Sequence, residues 1–243
     1  MKRKYIPEFI WRYGGVDVIY RPDLDGAGTV MAPTFVSFIK NHFGAEQRFG
    51  TVFEWCAGPG FIGFALLAEN ICGSLCLADI NPAAMKCAQR TIEANQLQDR
   101  VRSYLSDNLT SIPRHERFDL VVGNPPNFFG RNPEHPAYAN WAGSNALRSE
   151  DPGWRIHEGF YSDIASFLNP GAFVVVDEVA LFSREVFMHG DHSTPWDIRP
   201  EEPAGVFTEM IRRGGLAHIG DYEFLSLSPK TKCWMQVSQK PIQ

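Results

Sequence analysis

An asparagine and two prolines follow directly on a predicted buried strand of this chain. In the stretch FDLVVGNPPNFFG, the apolar run Leu120–Val122 leads into Asn124, Pro125 and Pro126. Neither proline has a backbone N–H, so neither can continue a sheet. The amide side chain and the rigid carbonyl oxygens could accept N–H groups from a ligand, or they could only end the strand.

A glycine-rich turn, EWCAGPGFIG, begins at Glu54 near the end of another predicted strand. Gly58 and Gly60 permit a backbone bend and let a ligand approach the main chain closely. Pro59 removes one of the N–H groups that a pyrophosphate would need at the start of a helix. The loop therefore favours a ligand without phosphate over a dinucleotide, although a plain tight turn explains it as well.

Acidic residues end the next two predicted strands. Asp79 is placed to accept hydrogen bonds from ribose hydroxyls, and Asp107 could accept one from the adenine amino group. Each has a structural alternative, because Asp79 precedes Asn81-Pro82 and Asp107 precedes Asn108, so either could cap a helix or a turn. With Glu54 they make three acidic residues at the ends of three successive strands, which are harder to explain as caps than one would be.

The elements that carry these residues alternate between strand and helix from residue 50 onward. The predicted strands are 51–55, 74–80, 101–107, 118–124 and 172–182, and the predicted helices are 31–43, 61–70, 82–97, 159–168 and 206–215. Residues 222–239 predict an antiparallel hairpin. The pattern predicts an α/β fold with a seven-stranded, mostly parallel, Rossmann-like sheet, helices on both faces and a C-terminal antiparallel hairpin. Ligands of such sheets bind beyond the carboxyl ends of the strands.

Composition excludes several classes of protein. The 243 residues are 44% hydrophobic, and no apolar run approaches the roughly 20 residues of a membrane helix. No signal-peptide pattern follows the basic start, so we expect a cytoplasmic location and no membrane partner. Five scattered cysteines form no zinc-ligand pattern, and we predict no metal. The formal charge of −5 makes a nucleic-acid partner less favoured.

Together these residues resemble the class I S-adenosylmethionine-dependent methyltransferases. The motif E-x-C-A-G-P-G, the two aspartates and G-N-P-P-N are similar to the small-domain branch with an N-P-P-[YF] motif, which includes enzymes acting on release-factor glutamine and on nucleobases. The resemblance covers about residues 50 to 180. It implies S-adenosyl-L-methionine as the cofactor.

The resemblance also implies roles for the residues around the cofactor. Glu54 would bond the amino group directly or through water, while Ala57, Gly58 and Gly60 would line the methionine part. The adenosine part would be held by the residues at the ends of the next strands, which are Asp79 on the ribose, Ile80 on the adenine ring and Asp107 on the adenine amino group.

At the acceptor, the resemblance implies that Asn124 and the Pro125 carbonyl hold the target nitrogen and aim its lone pair at the methyl group. Asn124 would also touch the cofactor. We predict Asn124 and Pro125 as the catalytic residues, and their rigidity sets the geometry in advance.

The substrate side departs from the family pattern at Asn127, where a stacking aromatic residue is usual. Phe128 could take over this role. The long segment 128–159 predicts a lid over the substrate. From this side we predict substrate-binding residues, which are Pro126, Asn127, Phe128, Tyr138 and Trp141. Asp177 and Glu178 could also line the pocket, but no residue is assigned as a general base.

We therefore expect a single methyltransferase domain over 1–243, with residues 1–45 as an extension over the cofactor entrance. The predicted function is N-methylation of an amine, amide or guanidino nitrogen of a small metabolite or a peptide-like substrate. The alternatives are a protein glutamine or RNA/DNA base N-methyltransferase, an NAD-dependent oxidoreductase, and an inactive binding module. A homodimer is left open.

Overall fold

The computed structural model describes residues 6–126, 130–131, 150–178, 196–197, 205–228 and 231–242. The chain divides into two compact units, Met1–Gly123 and Asn124–Gln243. The strands are β1 (Phe9–Tyr13), β2 (Val16–Tyr20), β3 (Phe49–Trp55), β4 (Cys72–Asp79), β5 (Val101–Leu105), β6 (Phe118–Gly123), β7 (Gly130–Arg131), β8 (Leu168–Asp177), β9 (Trp196–Asp197), β10 (Ala217–Ser228) and β11 (Thr231–Gln239). The helices are α1 (Gly28–Phe43), α2 (Phe61–Ala68), α3 (Pro82–Ala94), α4 (Arg155–Asp163) and α5 (Gly205–Arg213). Short 3-10 turns lie at Pro22–Leu24, Pro152–Trp154 and Ile164–Phe167.

Seven of these strands form the main sheet, in the order β10-β11-β8-β6-β3-β4-β5. In the first unit, β3 pairs in parallel with β4 and with β6, and β4 pairs in parallel with β5. In the second unit, β11 pairs antiparallel with both β8 and β10. The predicted fold class, a mostly parallel sheet with an antiparallel C-terminal hairpin, is confirmed.

Buried apolar residues explain why the central strands form. Leu120, Val121 and Val122 of β6 are fully buried, as are Val52 and Phe53 of β3. Runs that are apolar on both faces are typical of parallel strands covered by helices. The ring of Phe53 stacks on that of Phe118 at a centroid distance of 4.7 Å, which ties the two strands together.

Helix α3 begins as the sequence predicts. Pro82 occupies the first turn, and the Asn81 side chain accepts the N–H of Ala83 at 2.9 Å. An Asn cap followed by proline is a strong start signal, because the cap satisfies one free N–H and proline lacks one. Asn81, and not Asp79, is therefore the residue that caps this helix.

The hairpin of β1 and β2 was not predicted from the sequence. Its turn residues Gly14 and Gly15 have φ values of 52° and 89°, which suits the left-handed conformation of a two-residue hairpin turn. Two α3 side chains bond the backbone of β2: Asn95 Oδ1 accepts from Asp17 N at 2.9 Å, and Thr91 Oγ1 accepts from Ile19 N at 2.8 Å.

Helix and strand bounds in the second unit differ from the predicted ones. Helix α4 lies over residues 155–163, earlier than the predicted 159–168, and β8 begins at Leu168. The Asn169–Gly171 stretch thus lies within β8, where Gly171 N donates to the Lys240 carbonyl oxygen at 3.0 Å. No helix in the described part of the chain is long and apolar enough to cross a membrane.

Candidate functional site

The glycine loop after β3 uses three left-handed backbone positions. Cys56, Gly58 and Gly60 have φ values of 52°, 54° and 91°. Ala57 N donates to the Ala78 carbonyl oxygen at 3.0 Å, which fixes the loop against the end of β4. Gly60 N then donates back to the Ala57 carbonyl oxygen at 2.8 Å. The loop is thus a defined tight turn, with Cys56 at a position where glycine would be less strained.

The two glycines differ in what surrounds them. A Cβ atom on Gly60 would lie 2.8 Å from the Phe64 ring and 2.9 Å from a Leu77 methyl group, so a side chain is excluded by packing. A Cβ atom on Gly58 would meet only the Leu24 carbonyl oxygen, at 3.7 Å. Among the described residues, only this oxygen lies within 4 Å of that position. The space beside Gly58 would let a ligand approach the main chain closely.

Glu54 is buried beneath this loop, with only 2% of its surface exposed. Its carboxylate accepts the N–H groups of Gly63 at 2.7 Å and of Ile62 at 3.3 Å, both in the first turn of α2. Burial raises the pKa of Glu54 to about 8, although these two hydrogen bonds oppose the shift. A Cβ atom on Gly63 would lie 2.7 Å from Glu54 Oε2, so glycine is required there. Both oxygens of Glu54 thus accept backbone hydrogen bonds from the first turn of α2.

Asp79, the last residue of β4, joins the glycine loop to the start of α3. Its carboxylate accepts from Gly58 N at 2.7 Å and from Asn81 N at 2.8 Å. Burial raises the pKa of Asp79, and the backbone hydrogen bonds counteract it. The side chain is only partly buried, so its oxygens can also meet a ligand.

An exposed apolar pair lies at the carboxyl ends of β4 and β5. Ile80 is 49% exposed and Leu105 is 54% exposed, and the strand register pairs Asp79 with Leu105. Asp107 is exposed two residues beyond β5. Large apolar side chains held open beside two carboxylates form a surface suited to a flat ring that carries an amino group and a ribose.

The end of β6 is packed against Trp55. A Cβ atom on Gly123 would lie 3.0 Å from the Trp55 ring, and Trp55 Nε1 donates to Asn108 Oδ1 at 3.0 Å. The next residues open the second unit, where Asn124 is half-buried while Pro125 and Pro126 are buried. The remaining predicted substrate residues, Asn127, Phe128, Tyr138 and Trp141, lie outside the described residues.

A buried histidine between two carboxylates lies in the second unit, and sequence reasoning missed it. His157 Nδ1 is 2.6 Å from Asp151 Oδ2, and His157 Nε2 is 3.2 Å from Glu178 Oε1. All three residues are fully buried. We call Asp151, His157 and Glu178 the histidine cluster. Its only signal in the sequence was Asp177-Glu178 at the end of a strand, since nothing marked Asp151 as the partner of His157.

Comparison with known proteins assigns part of the chain to a family. Residues 32–139 match the family model described as the methyltransferase small domain. This segment is similar to the methyltransferase small domain. The resemblance to class I methyltransferases that the sequence suggested is thereby confirmed. The matched segment holds the glycine loop, both aspartates and the asparagine–proline motif.

Two curated relatives of the chain act on macromolecules, according to their names. Ribosomal protein uL3 glutamine methyltransferase of Francisella tularensis is 37% identical over 108 residues, which is 43% of this chain and 34% of the relative. Ribosomal RNA small subunit methyltransferase C of Haemophilus influenzae is 34% identical over 77 residues, which is 32% of this chain and 22% of the relative. The chain spans about a third or less of the length of these relatives.

The fold has solved counterparts across nearly the whole chain. The N-methyltransferase NodS from Bradyrhizobium japonicum aligns with a TM-score of 0.53, covering 90% of this chain and 99% of NodS. The sequence identity is 13%, so this likeness concerns the fold alone. The roles predicted for individual site residues stay predictions.

Proposed function

We propose that this chain is an S-adenosylmethionine-dependent N-methyltransferase whose acceptor is a glutamine side-chain amide of a protein. The observation that carries the proposal is the match of residues 32–139 to the methyltransferase small domain, together with 37% identity to a protein glutamine methyltransferase. The small metabolite expected from the sequence finds no support among these relatives, whose names give a protein and an RNA as substrates.

The residues after β3, β4 and β5 fit the proposed cofactor. Gly58 offers open main chain for the methionine part, Asp79 offers carboxylate oxygens to the ribose, and Ile80 with Leu105 offers an apolar face to the adenine. Asp107 would accept from the adenine amino group. Glu54 would act mainly through the start of α2, because both of its oxygens already accept backbone N–H groups. When bound, the cofactor supplies a methyl group on a positively charged sulfur.

The asparagine–proline motif would hold the acceptor. Asn124 Oδ1 and the Pro125 carbonyl oxygen would each accept one N–H of the amide, which turns the nitrogen lone pair toward the methyl group. Two prolines in succession limit backbone motion, so the carbonyl oxygen is oriented before the substrate arrives. The oxygen dipoles also stabilise positive charge that develops on the nitrogen during transfer.

A protein acceptor suits the charge of the chain better than a nucleic acid does. The formal charge is −5, with a pI of about 5.8, whereas nucleic-acid binding domains usually carry a basic surface. RNA binding would in addition weaken steeply with salt, because bound cations are released from the phosphates. Methylation of an RNA base is therefore the competing outcome of the test below.

The cofactor is tested by isothermal titration of the protein with S-adenosylhomocysteine and with NAD. We expect binding of S-adenosylhomocysteine and no heat with NAD. Binding of NAD alone would instead support the oxidoreductase alternative.

The acceptor is tested with S-adenosylmethionine that carries a radioactive methyl group. The protein would be incubated with purified unmodified ribosomal protein uL3 and, separately, with protein-free small-subunit ribosomal RNA. We expect label in a glutamine of the protein, located by mass spectrometry of its peptides. Label only in the RNA, or in neither acceptor, would contradict the glutamine proposal.

The role of Asn124 is tested by Asn124→Ala in the same assay. We expect turnover to fall on the order of 100-fold, because the acceptor loses one of its two orienting bonds, while S-adenosylhomocysteine still binds. The control is Asn41→Ala, which removes an exposed amide on α1 whose Nδ2 donates to Ser37 Oγ at 3.5 Å. Equal turnover in both variants would argue against the role of Asn124.

A further inference from the structure

The histidine cluster is assembled from three segments of the second unit. Asp151 precedes the 3-10 turn before α4, His157 lies on α4, and Glu178 directly follows β8. The rings of Trp154 and Phe207 enclose the imidazole, at centroid distances of 5.6 Å and 4.6 Å. Glu178 N donates to the Trp234 carbonyl oxygen at 2.8 Å, so its backbone is fixed against β11.

The two carboxylates of the cluster are satisfied to different extents. Asp151 accepts the backbone N–H groups of Ile156 at 2.8 Å and of His157 at 3.0 Å, in addition to the ring contact. Each of its oxygens therefore accepts at least one N–H group from the first turn of α4. Glu178 has one ion-pair contact through Oε1, and among the described residues its Oε2 has no hydrogen-bond partner.

The pKa values of His157 and Asp177 are both shifted by burial and by neighbouring charges. Burial lowers the pKa of His157, but the charges and hydrogen bonds of Glu178 and Asp151 outweigh burial and raise it to about 9, so the imidazole is a cation at neutral pH. Burial and the charge of Glu178 raise the pKa of Asp177 well above its usual range. The imidazole thus lies between Asp151 and Glu178, and Oε2 of Glu178 has no hydrogen-bond donor among the described residues.

Tyr161 and Asp221, two groups that interact electrostatically with Glu178, are both engaged with Gln236. Tyr161 Oη lies 3.4 Å from Gln236 Oε1, and Gln236 Nε2 donates to Asp221 Oδ1 at 3.0 Å. Asp221 raises the pKa of Glu178 further, beside the larger contribution of burial. A buried carboxylate oxygen without a hydrogen-bond donor costs free energy. We therefore interpret Glu178 Oε2 as an acceptor for a donor group of a bound ligand.

We propose that Glu178 Oε2 shares one of the two N–H groups of the methyl acceptor with the asparagine–proline motif and takes the proton that this nitrogen loses, and that Asp151 and His157 position Glu178 for this task. The inference rests on the proposed function. Glu178 follows β8 directly, as Asn124 follows β6, and both residues belong to the second unit.

The step balances without any further reactant. The lone pair of the amide nitrogen forms the new N–C bond while the C–S bond breaks and its electron pair stays on sulfur. The N–H bond then breaks, its pair returns to nitrogen, and the proton forms an O–H bond on Glu178. A buried carboxylate with a raised pKa is a stronger base than an exposed one, which favours this transfer.

The first test measures binding of propionamide, which reproduces the glutamine side chain, to the full chain by saturation-transfer NMR with and without S-adenosylhomocysteine. We expect propionamide to bind the wild-type protein and to bind Glu178→Gln about tenfold more weakly, since a charged acceptor is lost. The matched control is Glu116→Gln, which alters another buried glutamate that bonds Arg102 and Tyr104.

Equal binding to wild type and Glu178→Gln, no binding to wild type, or an equal loss in Glu116→Gln would each overturn the assignment. Failure of the proposed function is distinguished by S-adenosylhomocysteine, because a protein that does not bind it lacks the cofactor site whatever propionamide does.

The second test follows the pH profile of kcat with the acceptor that the labelling experiment identifies. Glu178→Gln should lower kcat on the order of 100-fold, with a smaller change in KM, and should remove the fall of kcat at low pH. Asp151→Asn keeps Glu178 but lowers the pKa of His157, so we expect a partial loss of kcat and a shifted profile. A kcat profile of Glu178→Gln that matches wild type would refute proton transfer to Glu178.

Discussion

Two buried glutamates near strand ends of this protein show how differently the same side chain can be used. Glu54 lies in β3 and is 2% exposed, while Glu178 follows β8 and is fully buried. Both oxygens of Glu54 accept backbone N–H groups of α2, whereas Oε2 of Glu178 has no hydrogen-bond partner among the described residues.

The two carboxyl groups differ in whether their oxygens already have hydrogen-bond donors. Both oxygens of Glu54 bond the backbone, so we expect substitution of Glu54 to lower the free energy of unfolding. Oε2 of Glu178 can still accept a hydrogen bond, so we expect substitution of Glu178 to weaken substrate binding and lower turnover. Burial alone would not separate the two, because desolvation raises the pKa of both carboxyls.

The largest effect should be the pH dependence of stability due to Glu54. Its pKa is about 8 in the folded protein against an ordinary value of 4.5. The folded state therefore holds a proton that the unfolded state has lost, and the free energy of unfolding falls as pH rises through this interval. We expect Glu54→Gln to remove on the order of 4 kcal/mol of this dependence between pH 4.5 and 8.

Urea denaturation at several pH values checks this expectation. The relevant quantity is the difference between wild type and Glu54→Gln, because Asp79, Asp177 and His157 also have raised pKa values and contribute in the same direction. Parallel curves for the two proteins would mean that Glu54 titrates as an exposed glutamate does.

A matched pair of leucine substitutions compares the two glutamates directly at fixed pH. Glu54→Leu leaves the N–H groups of Gly63 and Ile62 buried without acceptors, and we expect it to lower the free energy of unfolding by about 3 kcal/mol. Glu178→Leu leaves His157 paired with Asp151 but removes the partner of its Nε2 atom, so we expect it to lower the free energy of unfolding by about 2 kcal/mol, less than Glu54→Leu.

Thermal and urea denaturation of both leucine variants provide the measurement. The comparison fails if Glu178→Leu is the more destabilised protein, because Glu178 would then be a structural partner of His157 and not a reserved acceptor.

The smallest of these effects on stability concerns the glycine loop above Glu54. Gly60→Ala should cost about 2 kcal/mol, because its Cβ atom meets Phe64 and Leu77 in a left-handed backbone. Gly58→Ala has room for its Cβ atom and should cost about 1 kcal/mol for the backbone conformation alone.

For cofactor binding we expect the opposite order, with Gly58→Ala having a larger effect than Gly60→Ala. We expect Gly58→Ala to weaken binding of S-adenosylhomocysteine at least about tenfold relative to any loss explained by unfolding, measured by isothermal titration under conditions where both variants are folded. Unchanged binding to Gly58→Ala would place the ligand elsewhere.

Local signals in the sequence were sufficient for most of the first unit. The apolar run ending at Trp55, the Asn81-Pro82 start of α3 and the Gly58–Gly60 turn each depend on neighbours in the chain, and such patterns can be read without a structure. The hairpin of β1 and β2 has a comparable signal in Gly14-Gly15, but the sequence analysis assigned this region only to the extension over the cofactor entrance.

The histidine cluster could not be found in this way. Asp151 reaches His157 because a 3-10 turn and the start of α4 bring them together, and Glu178 arrives from β8 through tertiary packing. The sequence indicated Glu178 as a candidate at the end of a strand, but the state of its two oxygens depends on every neighbour. Such completeness of hydrogen bonding is a property of the folded structure alone.

The contact of β2 with α3 depends on a numerical coincidence between two kinds of backbone. Thr91 and Asn95 are four residues apart on α3, which is about 6 Å along the helix axis. The N–H groups of Ile19 and Asp17, which donate hydrogen bonds to them, are about 6.7 Å apart along the strand. The mismatch of about 0.7 Å is small over one repeat and would double over the next. Side chains of a helix can therefore replace the hydrogen bonds of a neighbouring strand over only a few residues. This limits the length of strand edge that a helix can protect from pairing with another chain.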